Sequence, residues 1–196
     1  MRFSASLSGD KRALTFLRKL GREGQKAVTR ATNNAGRKAR TLANKEIRSD
    51  VALKSAYVRK KLQVTRATLK KPTYTITAAR RGVLLTRYPY TVLKRSGITV
   101  RIKAGAGRRK FRHAFVTTLK AGGKRVTVIA EPGPKGADGK RQRYKTGTEK
   151  IKVIYGPSVS QVFNQVRDRI TPAVSLYFDE QIDKEVNQAI KRIAKS

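Results

Sequence analysis

Residues 98 to 103 read Ile98-Thr99-Val100-Arg101-Ile102-Lys103, apolar and polar strictly in turn. Successive side chains leave a strand on opposite faces, so this period of two, with β-branched residues, predicts a half-buried strand. The same period recurs on both sides. Tyr74, Ile76 and Ala78 alternate with Thr75 and Thr77. Phe111, His113 and Phe115 alternate, and so do Val126 and Val128. Gly122-Gly123 falls between two of these runs and reads as a two-residue hairpin turn. The middle of the chain therefore predicts three to five antiparallel strands with one packed face and one strongly basic face. Tyr88-Pro89-Tyr90 marks an irregular connection.

Towards the N-terminus the period changes to 3.6. Leu17, Leu20, Gly24, Ala27, Ala31, Ala35, Ala39 and Leu42 follow spacings of three and four, one face of a helix running from Asp10, its N-cap, to Arg48. Gly21, Gly24 and Gly36 each weaken that helix by about 1 kcal/mol relative to Ala. It therefore needs a packing partner, either its own core or a neighbouring subunit. A second, short helix over 53–62 turns Ala56, Tyr57 and the stem of Lys60 to one face and Lys54, Arg59 and Lys61 outward. Towards the C-terminus Val159, Phe163, Val166, Ile170, Val174, Tyr177, Ile182, Val186, Ile190 and Ile193 resume helical spacing. Pro157 suits the first turn of one helix and Thr171-Pro172 the start of the next, with a break or kink between them. The fold class is α+β: a long N-terminal helix, a central antiparallel basic β-sheet and C-terminal helices. Residues 1–50 form a helical arm, 51–156 a basic β-rich body with a flexible Pro/Gly-rich loop at 132–147, and 157–196 the C-terminal helices.

Charge bears most directly on partners. The formal net charge is +35 over 196 residues. Between Val51 and Ala130 stand 21 basic residues and no acid, whereas from Pro157 onward 6 basic residues face 5 acids. The charge belongs to the body and opposes compaction by self-repulsion. It predicts a polyanion or an acidic protein surface as partner, with phosphate contact driven by counterion release. The clusters are Arg80-Arg81, Arg108-Arg109-Lys110 with Arg112, Lys124-Arg125, and Lys140, Arg141 and Arg143 with Lys145, all at strand ends and loops where turns would gather them at one rim. No aromatic array argues for single-strand stacking and no recognition helix stands out, so contact to phosphate rather than to bases is expected. Asp168, Asp179, Glu180, Asp183 and Glu185 form the acidic contrast, as a patch for a basic neighbour or as a solvated helix face.

Several chemistries are excluded or disfavoured. No Cys is present, which removes disulfides and Cys-based zinc sites and fits a cytosolic origin. His113 is the only His, so a multi-His metal site is ruled out, and its place in an alternating run reads as structural. Gly133 to Lys140 fails as a phosphate-binding loop because Pro134 stands where Gly is required. With acids absent from the middle of the chain, no catalytic set, metal or cofactor is expected, and the chain reads as a non-enzyme. The N-terminus lacks an uninterrupted apolar stretch, so no secretory signal or membrane span is expected.

Two runs carry a resemblance. Tyr155-Gly156-Pro157-Ser158-Val159-Ser160-Gln161-Val162-Phe163 resembles the hallmark of the prophage minor tail protein Z family, the tail completion proteins of long-tailed phages. Lys45-Glu46-Ile47-Arg48 followed by Leu53 to Leu62, with its Lys54-Ser55-Ala56-Tyr57-Val58-Arg59 segment, is similar to the family's run after its long helix. The resemblance covers nearly the whole chain. It implies a structural virion protein, made in the host bacterial cytoplasm and placed at the head-proximal end of the tail or the head–tail junction. Its partners would be a tail terminator, tape measure or connector, with genome DNA met through phosphates. The family's tail symmetry makes a homo-oligomeric ring of six copies the expectation. Leu17, Leu20 and Gly24 on the small-residue stripe, and Tyr155, Gly156, Pro157, Val159, Gln161, Val162 and Phe163, are the candidate interface residues. For the second group, helix capping and core packing is the competing reading. A general nucleic-acid-binding module of ribosomal or nucleoid type is the alternative function, and an enzyme acting on DNA or cell wall the more distant one.

Overall fold

A computed structural model describes residues 2–5, 20–94, 96–134, 139 and 151–194. Among them the order is β1 (Arg2–Ala5), α1 (Gly21–Asp50), α2 (Ser55–Lys61), β2 (Leu62–Thr65), β3 (Tyr74–Ala78), β4 (Gly82–Leu84), a 3-10 turn (Leu85–Arg87), β5 (Tyr90–Leu93), β6 (Gly97–Val100), β7 (Arg109–Phe111), β8 (Phe115–Ala121), β9 (Lys124–Pro132), β10 (Ile151–Val153), β11 (Tyr155–Ser158) and α3 (Val159–Ile193). The fold is α+β, as the switch of period predicts. The strands do not make one central sheet. They form four small antiparallel sheets, ordered β1-β3-β2, β10-β9-β8, β11-β4 and β5-β6-β7.

The chain divides into two compact units. The first comprises Met1–Ile47, Arg59–Ala79 and Phe163–Ser196; the second comprises Arg48–Val58 and Arg80–Val162. In the first, α1 buries Gly24, Ala27, Ala31, Ala35, Ala39, Ala43 and Ile47, with Thr32 and Gly36 beside them. Small residues let a sheet approach closely. A Cβ at Gly36 would lie 2.2 Å from Cγ of Tyr74 on β3. Tyr74, Ile76 and Ala78 are the buried face of β3, which pairs with β1 and β2. Asn33 on α1 ties down the segment after β2: its Nδ2 donates to the Ala67 carbonyl and its Oδ1 accepts from the Ala67 N–H, both at 3.0 Å. In the same unit α1 and α3 are linked by Asn34 to Gln181 at 2.8 Å and by the ion pairs Arg30–Glu185 and Arg169–Glu46.

The second unit is built from the other three sheets. Ile98 and Val100 on β6 and Val128, Ile129 and Ala130 on β9 are buried. Gly122 and Gly123 have φ of +55° and +75° and join β8 to β9 with Ala121 opposite Lys124, a two-residue turn with both φ positive.

Several local expectations need correction. Phe111, His113 and Phe115 do not share a strand, because β7 ends at Phe111 and the chain turns through exposed Arg112 and His113 before β8. In α2 the buried residue is Val58, while Ala56 is exposed. Pro157 lies in β11, not in a helix. The C-terminal helices are one helix, α3, running unbroken through Pro172. Thr171, Pro172 and Ala173 are all exposed, and so is Asp168, whose carbonyl Pro172 cannot bond, so water can satisfy that carbonyl. Asp10 and Leu17, and the loop from 140 to 147 with Lys140, Arg141 and Arg143, lie outside the described residues.

Candidate nucleic-acid interface

The basic clusters lie on the second unit, and strand pleating decides which way each cation points. On the β5-β6-β7 sheet Thr91 opposes Thr99, and Thr99 opposes Lys110. These three share one face. Arg108 joins them, its guanidinium donating to the Thr91 hydroxyl. Arg101 continues the same alternation from Thr99, its N–H bonded to the Pro89 carbonyl at 2.9 Å. Arg109 belongs to the opposite face. It shares that face with buried Ile98 and Val100, and its guanidinium sits 5.3 Å from the centre of the Phe111 ring. The run Arg108-Arg109-Lys110 is therefore split two to one by the pleat.

The other clusters lie on two further sheets. Arg80 and Arg81 are exposed immediately before β4, and Lys124 and Arg125 are exposed at the start of β9. The Gly-Gly turn sets Lys120 directly opposite Arg125. Like charges facing each other across a ladder are unfavourable, so this hairpin tip carries a repulsion that an anion would relieve. Arg112 is exposed in the turn after β7.

A cavity of about 600 Å³ in the same unit collects further cations. Arg48, Lys54, Arg87 and Arg101 line it with Tyr88 and Tyr90, and no ion pair to a carboxylate engages these four cations among the described residues. Arg87 lies over the Tyr57 ring at 5.7 Å. Burial pushes the Tyr57 phenol up, opposed by Arg87, and burial pushes the Tyr88 phenol above the ordinary tyrosine range, so both hydroxyls stay neutral. Sequence reasoning missed Arg48, Lys54, Arg87, Arg101 and Lys120 as site residues. Only Lys120 had a readable signal, since a two-residue turn at Gly122-Gly123 fixes its partner as Arg125.

The run Tyr155 to Phe163 is spent largely on its own chain. A Cβ at Gly156 would lie 2.8 Å from Cε2 of Tyr88. Tyr88 is buried, and its hydroxyl points to the Pro157 carbonyl at 3.4 Å. Ser158 and Gln161 form a reciprocal cap at the start of α3: the Gln161 N–H donates to Ser158 Oγ at 3.1 Å, and the Ser158 N–H donates to Gln161 Oε1 at 2.8 Å. Val159, Val162 and Phe163 are buried. Tyr155 presents the run's exposed large apolar side chain, at 44 %, and Gln161 is exposed as well. On α1 Gly24 is buried and Leu20 half-buried.

Of the acids on α3, Glu185 is buried and pairs with Arg30 at 3.7 Å, while Asp179, Glu180 and Asp183 are exposed. Among the described residues no cluster of three His, Asp or Glu could hold a metal ion, and no helix is long and apolar enough to cross a membrane.

The described residues thus combine a long helix with a small-residue stripe, strongly basic small sheets and a capped C-terminal helix. The chain belongs to the prophage minor tail protein Z (GPZ) family, whose family model matches residues 7–196. No significant match is found among curated proteins or among solved structures.

Proposed function

We propose that this protein completes the head-proximal end of the tail, helps it join the DNA-filled head and meets the genome's phosphates through its second unit. It acts by binding and by shape, without a catalytic step. The observation that carries this reading is the uncompensated charge: no acid from Val51 to Ala130, with Arg101, Arg108 and Lys110 on one sheet face. Such a face suits a channel through which any sequence must pass, because phosphate contact carries no base readout. The neighbours would be a tail terminator, tape measure or connector, and the protein would sit in the virion at the tail or head–tail junction.

Duplex DNA should bind without sequence preference, with log affinity falling against log salt by about 0.9 per neutralised phosphate. Replacing Arg108, Arg109 and Lys110 together by Ala should lower that slope by about 1.8, the share of Arg108 and Lys110, because Arg109 lies on the opposite sheet face. Equal affinity at low and high salt would overturn phosphate contact. If the slope survives the triple substitution, the contact lies elsewhere, with Lys124 and Arg125 or Lys140 to Lys145 next in line. Cofractionation with RNA rather than with phage particles would favour the general nucleic-acid-binding reading.

Self-association belongs to the same proposal. Exposed Tyr155, and exposed Leu176, Ile190 and Ile193 on α3, offer apolar surface to a neighbouring copy. A ring of six copies is expected by native mass spectrometry or in a tail reconstruction, and a monomer in both would sink it.

A further inference from the structure

A separate group of cations lies in the first unit, on residues that the DNA-contact reading does not use. Arg37 and Arg40 on α1, Arg59 on α2 and Arg66 just after β2 line a cavity of about 250 Å³ with Thr41 and Tyr74. Arg37 and Arg40 are neighbours on one helix face, three residues apart. Arg40 is held in place: its Nη2 donates to the Arg59 carbonyl at 2.8 Å. Arg37 donates to the Asn34 side chain. Among the described residues no ion pair joins any of the four to a carboxylate. The Nε of Arg40 is buried without a hydrogen-bond partner. A buried charged donor left unmade is costly, and four like charges around one cavity repel each other. Both costs fall if an anion occupies the space and the Arg40 guanidinium turns its Nε edge towards it.

The residue type selects the anion. All four cations are Arg and none is Lys. A guanidinium presents N–H groups in a rigid fork that matches oxyanions two bonds at a time. One carboxylate has two oxygens and a single charge, too few acceptors for four forks. A phosphate group offers three or four oxygens and up to two charges. The volume is that of roughly eight waters at about 30 Å³ each, enough for a phosphate group with part of its hydration shell.

We propose that this cavity is an oxyanion site that takes one phosphate group, held by the forks of Arg37, Arg40, Arg59 and Arg66. The phosphate is either free inorganic phosphate or the terminal phosphate monoester of a nucleic-acid end, each with three or four acceptor oxygens and up to two charges. The inference stands apart from the head–tail reading, because it concerns a different unit and different residues.

The test is a ¹H–¹⁵N titration of the full chain with inorganic phosphate at constant ionic strength, chloride being exchanged out. The Arg40 Nε–H signal, assigned by its loss in Arg40→Lys, should move downfield and saturate. Acetate and an acidic peptide of matched charge should leave it in place. The double variant Arg59→Gln/Arg66→Gln alters two exposed side chains and should weaken phosphate at least tenfold. Arg66→Lys keeps the charge but loses the fork and should weaken it several-fold. A short DNA duplex carrying 5′-phosphates forms the second arm. Movement of the same signal, competed by inorganic phosphate, assigns the terminal-phosphate source; movement with inorganic phosphate alone assigns the free ion. A signal that ignores phosphate, that moves equally with the acidic peptide, or whose affinity is unchanged in the Gln double variant overturns the proposal.

Discussion

The two units solve opposite problems. The first must bring a 30-residue helix against a three-stranded sheet, and it does so by removing side chains: Gly24, Ala27, Ala31, Ala35, Gly36, Ala39 and Ala43 face inward. The second must fold three small sheets while carrying most of the acid-free stretch, and its described acids are Asp50 and Glu131 alone. In the first, Glu23, Glu46 and Glu185 each stand within ion-pair reach of an arginine of the same unit, at 3.9, 3.8 and 3.7 Å. Such long ion pairs contribute little stability, but they absorb positive charge locally. In the second, the charge is left for something else to absorb. The first unit is thus held by close packing of small residues, while the second carries a large excess of positive charge over its two described acids.

The sharpest way to break this contrast is Gly36→Ala. The added methyl would stand 2.2 Å from Cγ of buried Tyr74, at the root of the ring, where the ring cannot swing away. Overpacking of this kind costs about 3 kcal/mol, partly offset by about 1 kcal/mol of helix propensity. A loss of about 2 kcal/mol or more is expected in urea unfolding. In a Tyr74→Ala background the same substitution should turn neutral or stabilising. If Gly36→Ala is harmless in the parent, close approach is not what holds the first unit.

Gly156→Ala asks the same question of the second unit. Here the methyl meets the far end of the Tyr88 ring, at 2.8 Å from Cε2 and 2.9 Å from the hydroxyl. The ring is buried but its tip has more freedom than its root, so a smaller loss of about 1–2 kcal/mol is expected. A loss equal to that at Gly36 would mean that the second unit is packed as tightly as the first.

Much of this architecture was legible because two periodicities have simple physical origins. The Ala/Gly stripe announced α1, the alternation around Ile98 announced strands, and Gly122-Gly123 announced its own turn. The strands' grouping into four sheets was not legible, since alternation says which face is buried and nothing about which strand is next. Pro157 and Pro172 misled for opposite reasons. The first sits at a strand end beside a cap formed by Ser158 and Gln161, a Ser-x-x-Gln spacing that was readable but overshadowed by the proline. The second is carried on the exposed face of α3, where the lost bond can be made to water. The arginine cavity of the first unit was invisible for a different reason: Arg37, Arg40, Arg59 and Arg66 are dispersed in sequence and converge only through packing.

Ser158→Ala tests that cap. It removes the acceptor for the Gln161 N–H and should cost about 1 kcal/mol by thermal unfolding. Gln161→Ala removes the reciprocal bond and leaves the N–H of buried Ser158 without its acceptor, so it should cost about as much as Ser158→Ala or more, about 1–2 kcal/mol. If instead Gln161→Ala leaves stability unchanged and abolishes assembly, its side chain serves a neighbour rather than the cap.

The smallest effect on stability, and the finest test of the second unit, comes from the pleat. Arg108 and Lys110 share the sheet face with Thr91 and Thr99, while Arg109 lies on the other side against Phe111. All three are exposed, so Ala at any of them should change stability by less than about 0.5 kcal/mol. Their effects on DNA binding should differ nonetheless. A duplex lying on the Thr91–Thr99 face takes phosphate contacts from Arg108 and Lys110 together, so the pair Arg108→Ala/Lys110→Ala should lower the salt slope by about 1.8, whereas Arg109→Ala should leave it nearly unchanged. Equal contributions from all three would mean that only net charge matters and the pleat does not orient the contact. A dominant effect of Arg109 would place the polyanion on the opposite face, beside Tyr90 and Val92, which register with Val100 and Ile98 and are themselves exposed.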